Sequence, residues 1–314
     1  MSLIYPLFIP MAGCAARCIY CDQSKLSGAS ALDLEQAAHD VAAFIRHHPE
    51  QDKQIAFYGG SFTRLSPQER NTMLERILPL LDEHSSFRIS THPLWIDQEI
   101  LDWCGQNRIR TIELGIQDFN EAVLHRSGRG YGTAEAVGAC KAVQEAGFEL
   151  GIQLMPGLPG ADLSSLEANL YYLRELKPRF LRLYPLIVIK GTPLEEEFRQ
   201  GRYQPLSLDA AIQICADYCL LAESLRIRVI KLGIPSNIAS EDILAGPYHP
   251  AFGEFVKAEL LIRKLELDYQ PDQPIFLNRK QASLLHGHGG RYFKILQDRL
   301  KNCTLKLEIT DNHS

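Results

Sequence analysis

The sequence predicts an α/β protein built as a partial (β/α)6 barrel with a C-terminal α+β extension. Three observations lead there. Short β-rich runs at 5–10, 54–58, 87–91, 111–115, 150–155 and 180–189 alternate with amphipathic stretches at 33–48, 66–81, 97–106, 133–146 and 163–176. Such alternation implies parallel strands with helices packed outside them. Six units also fall short of the eight that a full barrel takes. Finally, the pattern changes after Gly191, which divides the chain into a barrel segment, 1–195, and an extension, 196–314, that closes it.

Taken in order, the helical stretches carry their own start and stop signals. Asp33, Ser66 and Thr133 are candidate N-caps and Gly147 a helix terminator, because short polar side chains satisfy the free amides of a first turn and glycine accepts the left-handed exit. In the extension, Ser207 caps a helix at 209–225, and a strand follows at 228–234. The turn 245–254 mixes aromatics with His249 and Glu254, so it is either a substrate loop over the barrel mouth or a structural turn. A helix at 255–266, a strand at 274–278, helices at 280–286 and 291–301 and a strand at 304–309 complete the chain.

Composition narrows the function classes. The 314 residues are 46% apolar and 23% charged, ordinary for a globular chain. No apolar run approaches the ~20 residues of a membrane span, and the N-terminus lacks the basic start of a secretory signal. Eight cysteines without an export signal point to a reducing, cytoplasmic setting, with thiols free or on metal. A net charge of −5 offers no bulk attraction to nucleic acid.

The chemistry gathers where strands end. Directly after the first strand lie Cys14, Cys18 and Cys21, three thiols on one short loop. A cubane iron–sulfur cluster usually takes four thiolates. Three leave one iron open to a bidentate small molecule. A zinc loop is the alternative, although no paired ligand motif follows, and unrelated thiols are a third. The second strand runs into Gly59 and Gly60, where backbone can approach a ligand closely. The third ends at Ser90. The fourth carries Glu113, whose burial demands a partner, and ends at Gln117, with Arg129 twelve residues on. The fifth carries Gln153 and leaves through Met155-Pro156-Gly157-Leu158-Pro159-Gly160.

The cysteine spacing, with Tyr20 before the last cysteine, resembles the signature of the radical S-adenosylmethionine (SAM) superfamily. The Gly-Gly strand end, Glu113-Leu114-Gly115-Ile116-Gln117, Arg129 and the Met155–Gly160 exit loop narrow the resemblance. They are similar to the branch of the elongator-type catalytic subunit and the oxygen-independent coproporphyrinogen oxidases, over about 3–260. The resemblance implies a [4Fe–4S] cluster on Cys14, Cys18 and Cys21, and SAM as second cofactor. Tyr20 would lie against the adenine. Gly59 and Gly60 would face the methionine amino group, and Gln117 and Arg129 the ribose and carboxylate. Ser90, Glu113 and Gln153 would line the same cavity. The chain departs from the branch at Arg129-Gly130-Tyr131-Gly132, where relatives often carry Arg-Gly-His-Thr, which leaves the neighbouring substrate contacts open. A reductase such as flavodoxin or ferredoxin is the implied electron donor. RNA, tRNA included, is the favoured substrate class, and a tetrapyrrole-like small acid the alternative. A non-enzymatic metal-loop protein is the remaining rival. No acetyltransferase segment follows, so only the radical half of the elongator-type activity is implied.

The other candidates have plainer readings. Cys104, Cys140, Cys215 and Cys219 are expected in the core. Arg279, Lys280, Arg291, Lys294, Arg299 and Lys301, against Asp298, form either an RNA-phosphate patch or a solvated helix face. His286 and His288 lack a third ligand nearby.

Overall fold

The computed structural model describes residues 2–14, 18–28, 31–234, 238–270 and 274–300. Strands β1 (Leu3–Phe8), β2 (Lys53–Tyr58), β3 (Ser85–Thr91), β4 (Ile109–Gln117), β5 (Glu149–Leu154) and β6 (Phe180–Leu183) pair in sequence order. Together with β8 (Arg228–Leu232) they make one parallel sheet, curled into a half-barrel with β1 and β8 as its free edges. The connecting helices are α1 (Gln23–Ser27), α2 (Leu34–His47), α3 (Pro67–Ile77), α4 (Gln98–Gln106), α5 (Glu121–Arg126), α6 (Thr133–Glu145) and α7 (Leu163–Leu176). Beyond β6 come β7 (Val188–Ile189), α8 (Pro193–Arg199), α9 (Leu208–Ser224), β9 (Ile243–Ala245), α10 (Phe252–Asp268) and α11 (Arg279–Arg299).

The strand sequences alternate with a period of two, and the alternation decides what each face does. Ile55 and Phe57, Phe87 and Ile89, Ile112, Leu114 and Ile116, Leu150, Ile152 and Leu154 all enter one apolar core. Between them stand Gln54, Tyr58, Arg88, Ser90, Thr111, Glu113, Gln117 and Gln153. These form the polar inner face of the half-barrel. Apolar layers fill a full (β/α)8 barrel; here the interior is polar and opens into a cavity.

Cysteines 104, 140 and 215 are fully buried in that core, and Cys219 nearly so. Burial pushes the thiols of Cys104 and Cys219 up to about 12, so they stay protonated and inert. On the extension side, Glu259 of α10 is 1% exposed and joins Arg263 to Arg299 of α11. Arg263 also reaches Asp217 of α9, so ion pairs tie the three C-terminal helices together.

Four element expectations change. The sixth strand does not run to 189; it ends at Leu183, just before Pro185, which has no amide to donate to a ladder. Val188–Ile189 instead pairs antiparallel with β9 as a separate ribbon. Thr133 is not an N-cap. Its hydroxyl donates to the Phe119 carbonyl and its amide to Glu121, and Gly132 caps α6 with Glu135 reaching back to the Gly132 amide. The run 274–278 holds only an isolated bridge at Leu277. The two predicted C-terminal helices meet as α11, kinked at Gly287–Gly290, where three residues take positive φ. The predicted strand at 304–309, Cys303 and Lys301 lie outside the described residues.

Candidate active site

The cysteine loop is locked onto the end of β2 by backbone hydrogen bonds. The Ile9 amide donates to the Tyr58 carbonyl at 2.8 Å, the Met11 amide to Gly59 at 2.8 Å, and the Ser61 amide to Ala12 at 2.9 Å. This interlock explains two glycines. A Cβ on Gly60 would strike the carbonyls of Ala12 and Ile9, and one on Gly13, at φ 69°, would strike that of Ser61. Gly60 is therefore required by the approach of the cysteine loop, whatever else it contacts. Gly59 and Gly60 both line the cavity beneath.

Cys14, Cys18 and Cys21 all open onto that same cavity, whose volume is about 500 Å³. Cys14 Sγ lies 3.6 Å from the Ser61 hydroxyl, and Cys21 Sγ accepts from Gln23 Nε2 at 3.7 Å. Arg129 Nη1 donates to Cys18 Sγ at 3.0 Å. Burial, then the neighbouring Cys18 and Cys14, push the Cys21 thiol up to about 12. Three thiolates in such an apolar, mutually repulsive setting need a positively charged centre among them. Among the described residues, no three His, Cys, Asp or Glu side chains converge closely enough to hold a single metal ion.

Arg129 is 5% exposed and its guanidinium is held on every side. Nε donates to the Tyr131 hydroxyl at 3.1 Å, Nη2 to the Gly115 carbonyl, and Nη1 also faces the Tyr20 hydroxyl at 3.4 Å. Tyr131 in turn donates to the carbonyls of Gly115 and Ile116. His92 accepts from the Leu94 amide on Nδ1, so its Nε2 carries the proton and donates to the Arg129 carbonyl at 3.1 Å. Burial and then the Arg129 charge push His92 down to about 3, which keeps the ring neutral. At Arg129-Gly130-Tyr131-Gly132, Tyr131 is thus a support for the arginine.

Gln117 terminates β4 at a bulge, in the left-handed region at φ 71°. A non-glycine residue held there stores strain. Its amide oxygen is buried with no hydrogen-bond partner, an arrangement that destabilises the protein alone by roughly 1–3 kcal/mol. Gln117 also lines the cavity, so its unpartnered amide stands beside the space a ligand would fill. The donor set (three thiols, an arginine fork, an unpaired amide, two close-packed glycines) fits a cluster together with a nucleoside-containing amino acid.

Deeper in the half-barrel lies a second layer. Glu113 is fully buried. Its carboxylate accepts from Tyr58 at 2.8 Å, Arg88 at 2.9 Å, Gln153 at 3.0 Å, and Arg182 at 2.8 and 3.1 Å. Burial would raise its pKa, and the two guanidiniums override that and hold the carboxyl below its ordinary value. Gln153 also donates to Ser90 at 3.2 Å.

The structure brings Cys14, Cys18, Cys21, Tyr20, Gly59, Gly60, Ser90, Gln117, Arg129 and Gln153 to one cavity. Glu113 differs from expectation. It lies beneath the cavity wall, because two arginines draw it into the sheet. The turn 245–254 is also outside that wall: His249 Nδ1 accepts the Ala251 amide, and Glu254 pairs with His288. His286 stacks on Phe293 while His288 turns to Glu254, so the two do not converge. In the basic C-terminal segment, Arg291 pairs with Asp209 and Arg299 with Glu259 and Glu266. Lys280 and Lys294 remain exposed. Sequence reasoning missed Tyr58, Tyr131, Arg182, Tyr184 and Lys231. The signal for several of them was there: charged or phenolic residues at inward positions of otherwise apolar strands.

Comparison with known proteins follows the same lines. The radical SAM superfamily model matches residues 8–170, and the Radical_SAM C-terminal domain model matches residues 178–261. The chain is 23% identical over 227 residues to tRNA uridine(34) acetyltransferase of Methanocaldococcus jannaschii, covering 62% of this chain and 40% of that protein. It is 27% identical over 194 residues to the heme chaperone HemW of Lactococcus lactis subsp. lactis, covering 60% and 50%. Elongator complex protein 3 of Danio rerio is 25% identical over 244 residues, covering 67% and 44%. The chain thus spans half or less of the length of these relatives. Among solved structures, Methanocaldococcus infernus Elp3 with an N-terminal deletion superposes with a TM-score of 0.64 at 18% identity, over 85% of this chain and 64% of that one. Methylornithine synthase (PylB) does so at 0.51 and 13%, over 87% and 84%. At these identities the structures attest to the fold alone. The fold is shared with a partial radical SAM barrel.

Proposed function

The chain belongs to the radical SAM superfamily, and on that premise we propose that it generates a 5′-deoxyadenosyl radical in this cavity to abstract hydrogen from a substrate. It is an enzyme whose cofactors are a [4Fe–4S] cluster and SAM. When bound, these supply the one-electron cleavage of SAM to methionine and the radical; the protein supplies position and enclosure. The observation that carries the reading is the convergence of three cysteines, Arg129 and the orphaned Gln117 amide on one cavity.

Each residue has a physical task in this reading. Cys14, Cys18 and Cys21 would hold the cluster, and Arg129 donates a hydrogen bond to Cys18 Sγ. Arg129 lines the cavity, and its guanidinium, positioned by Tyr131 and Gly115, would take up a carboxylate. Gln117 Oε1 would accept from a ribose hydroxyl. Tyr20, 5% exposed, offers a ring face to the adenine. Gly59 and Gly60 allow close approach of backbone to the methionine end. Apolar walls at Phe8, Leu186 and Ile187 keep water from a reactive centre. A one-electron donor of the flavodoxin or ferredoxin class would reduce the cluster.

RNA, tRNA in particular, is the substrate class supported by the tRNA-modifying relatives. The exposed Lys280 and Lys294 are consistent with it, while internal pairing of Arg291 and Arg299 reduces the patch. A small acid is the second reading, favoured by the cationic inner end of the cavity described below. The test is anaerobic reconstitution with iron and sulfide, then dithionite and SAM, with 5′-deoxyadenosine read by mass spectrometry. Product from the parent and none from Cys18→Ala is expected. A reconstituted cluster with no SAM binding would sink the reading.

A further inference from the structure

At the edge of the half-barrel farthest along the sheet from β1, two cations stand side by side. Arg182 on β6 and Lys231 on β8 are register partners, so their side chains share the inner face, and both line the cavity. Like charges directly opposite on neighbouring strands repel. The nearest carboxylate does not resolve this. Glu113 is already shared between Arg88 and Arg182, through five hydrogen bonds that include Tyr58 and Gln153. Three cations therefore face one anion. Lys231 has no hydrogen bond and no ion pair of its own among the described residues, and burial, then the Arg182 charge, lower its pKa from the ordinary lysine value. Tyr184 lines the same end of the cavity and is kept neutral by burial. Apolar side chains, Ile187, Ile189 and Ile234, flank this end of the cavity.

A repelling pair of this kind, half-buried and aimed into a cavity, is relieved by an anion placed between its members. We propose that Arg182 and Lys231 form a subsite for an anionic oxygen group, a carboxylate or a phosphate, carried by the substrate beside an apolar body. Arg182 offers its remaining Nη1 donor and Lys231 its ammonium, while Glu113 holds Arg182 in place. The subsite rests on the reading that substrate and SAM share this cavity. It sits at the β6–β8 side, while the residues assigned to the SAM carboxylate and ribose sit on and after β4. A substrate anchored there would present its body towards the cysteine loop.

The test uses the full chain with its lysines dimethylated by 13C-methyl groups, which retain charge, and follows the Lys231 resonance, assigned by its loss in Lys231→Arg. At constant ionic strength, titration with inorganic phosphate or with succinate is expected to shift that resonance saturably. Preference for phosphate would point to a nucleotide source, and preference for succinate to an organic acid. Arg182→Gln is expected to weaken the response about tenfold or more. Should that variant not fold, Arg182→Lys keeps the charge facing Glu113 and loses the fork, and a weakened response is again expected. No saturable shift, a shift reproduced by chloride, or a response indifferent to the Arg182 variant would overturn the inference. SAM affinity separates this from the function itself. Lys231→Gln is expected to leave it within about twofold. Its loss in that variant would give Lys231 to the cofactor, whereas a parent that binds no SAM would remove the function and leave the anion titration standing.

Discussion

Around Glu113, deep in the half-barrel, the polar groups are saturated: one carboxylate accepts five hydrogen bonds from Tyr58, Arg88, Gln153 and Arg182. Around Gln117, at the end of the same strand, a buried amide oxygen has no partner and the backbone sits at φ 71°. Both layers belong to β4, separated by only four residues. The contrast teaches how to tell scaffold from site within one polar interior. A satisfied buried network fixes geometry, because breaking any member strands the others. An unsatisfied group that borders a cavity, as Gln117 does, is a candidate for a ligand contact. By that measure the Glu113 layer is support, and Gln117, the cysteine loop and Lys231 are the groups proposed to bind.

The largest expected effect breaks the upper layer outright. Cys18→Ala should eliminate the iron–sulfur absorbance of reconstituted protein and all 5′-deoxyadenosine formation. Retention of a full cluster in that variant would remove Cys18 from the ligand set. Next, Glu113→Gln should destabilise the fold by about 3–5 kcal/mol, since removal of one partner leaves two guanidiniums buried and uncompensated. Denaturant unfolding measures this, and a change below ~1 kcal/mol would show the network is not the scaffold. A smaller effect concerns His92, which supports Arg129. Its folded pKa of about 3 lies below the unfolded value of ~6.5, so the unfolded chain binds more protons between them. The contribution is complete above pH ~6.5 and is lost as pH falls towards 3, with a slope of up to about 1.4 kcal/mol per pH unit. His92→Asn should flatten that slope between pH 6.5 and 5. An unchanged profile would assign the acid sensitivity elsewhere.

Much of this was legible in the sequence, and the reasons are physical. The cysteine spacing and the Gln117–Arg129 interval are local, and each sits at a strand end where parallel-sheet geometry gathers function. Strand and helix order followed from the period of apolar residues. What escaped depends on contacts remote in sequence. Arg182 and Glu113 are 69 positions apart, and nothing near either announces the pair. Lys231 becomes informative only when β8 is known to lie beside β6 in the same sheet, rather than in a separate unit. Gly60 carries a further constraint that the sequence does not announce, the carbonyls of Ala12 and Ile9, because it comes from another strand's loop. The turn 245–254 looked functional by composition alone, and its His249 and Glu254 are spent on a helix start and on His288.

Gln117→Gly tests the contrast between the two layers most directly, with SAM affinity and thermal stability measured on the same anaerobically reconstituted protein. Glycine removes the orphaned acceptor and accepts the left-handed backbone without strain. The account predicts a melting temperature equal to or above the parent's, together with SAM binding weakened about tenfold. A lower melting temperature with unchanged SAM affinity would contradict it, and would make Gln117 part of the scaffold.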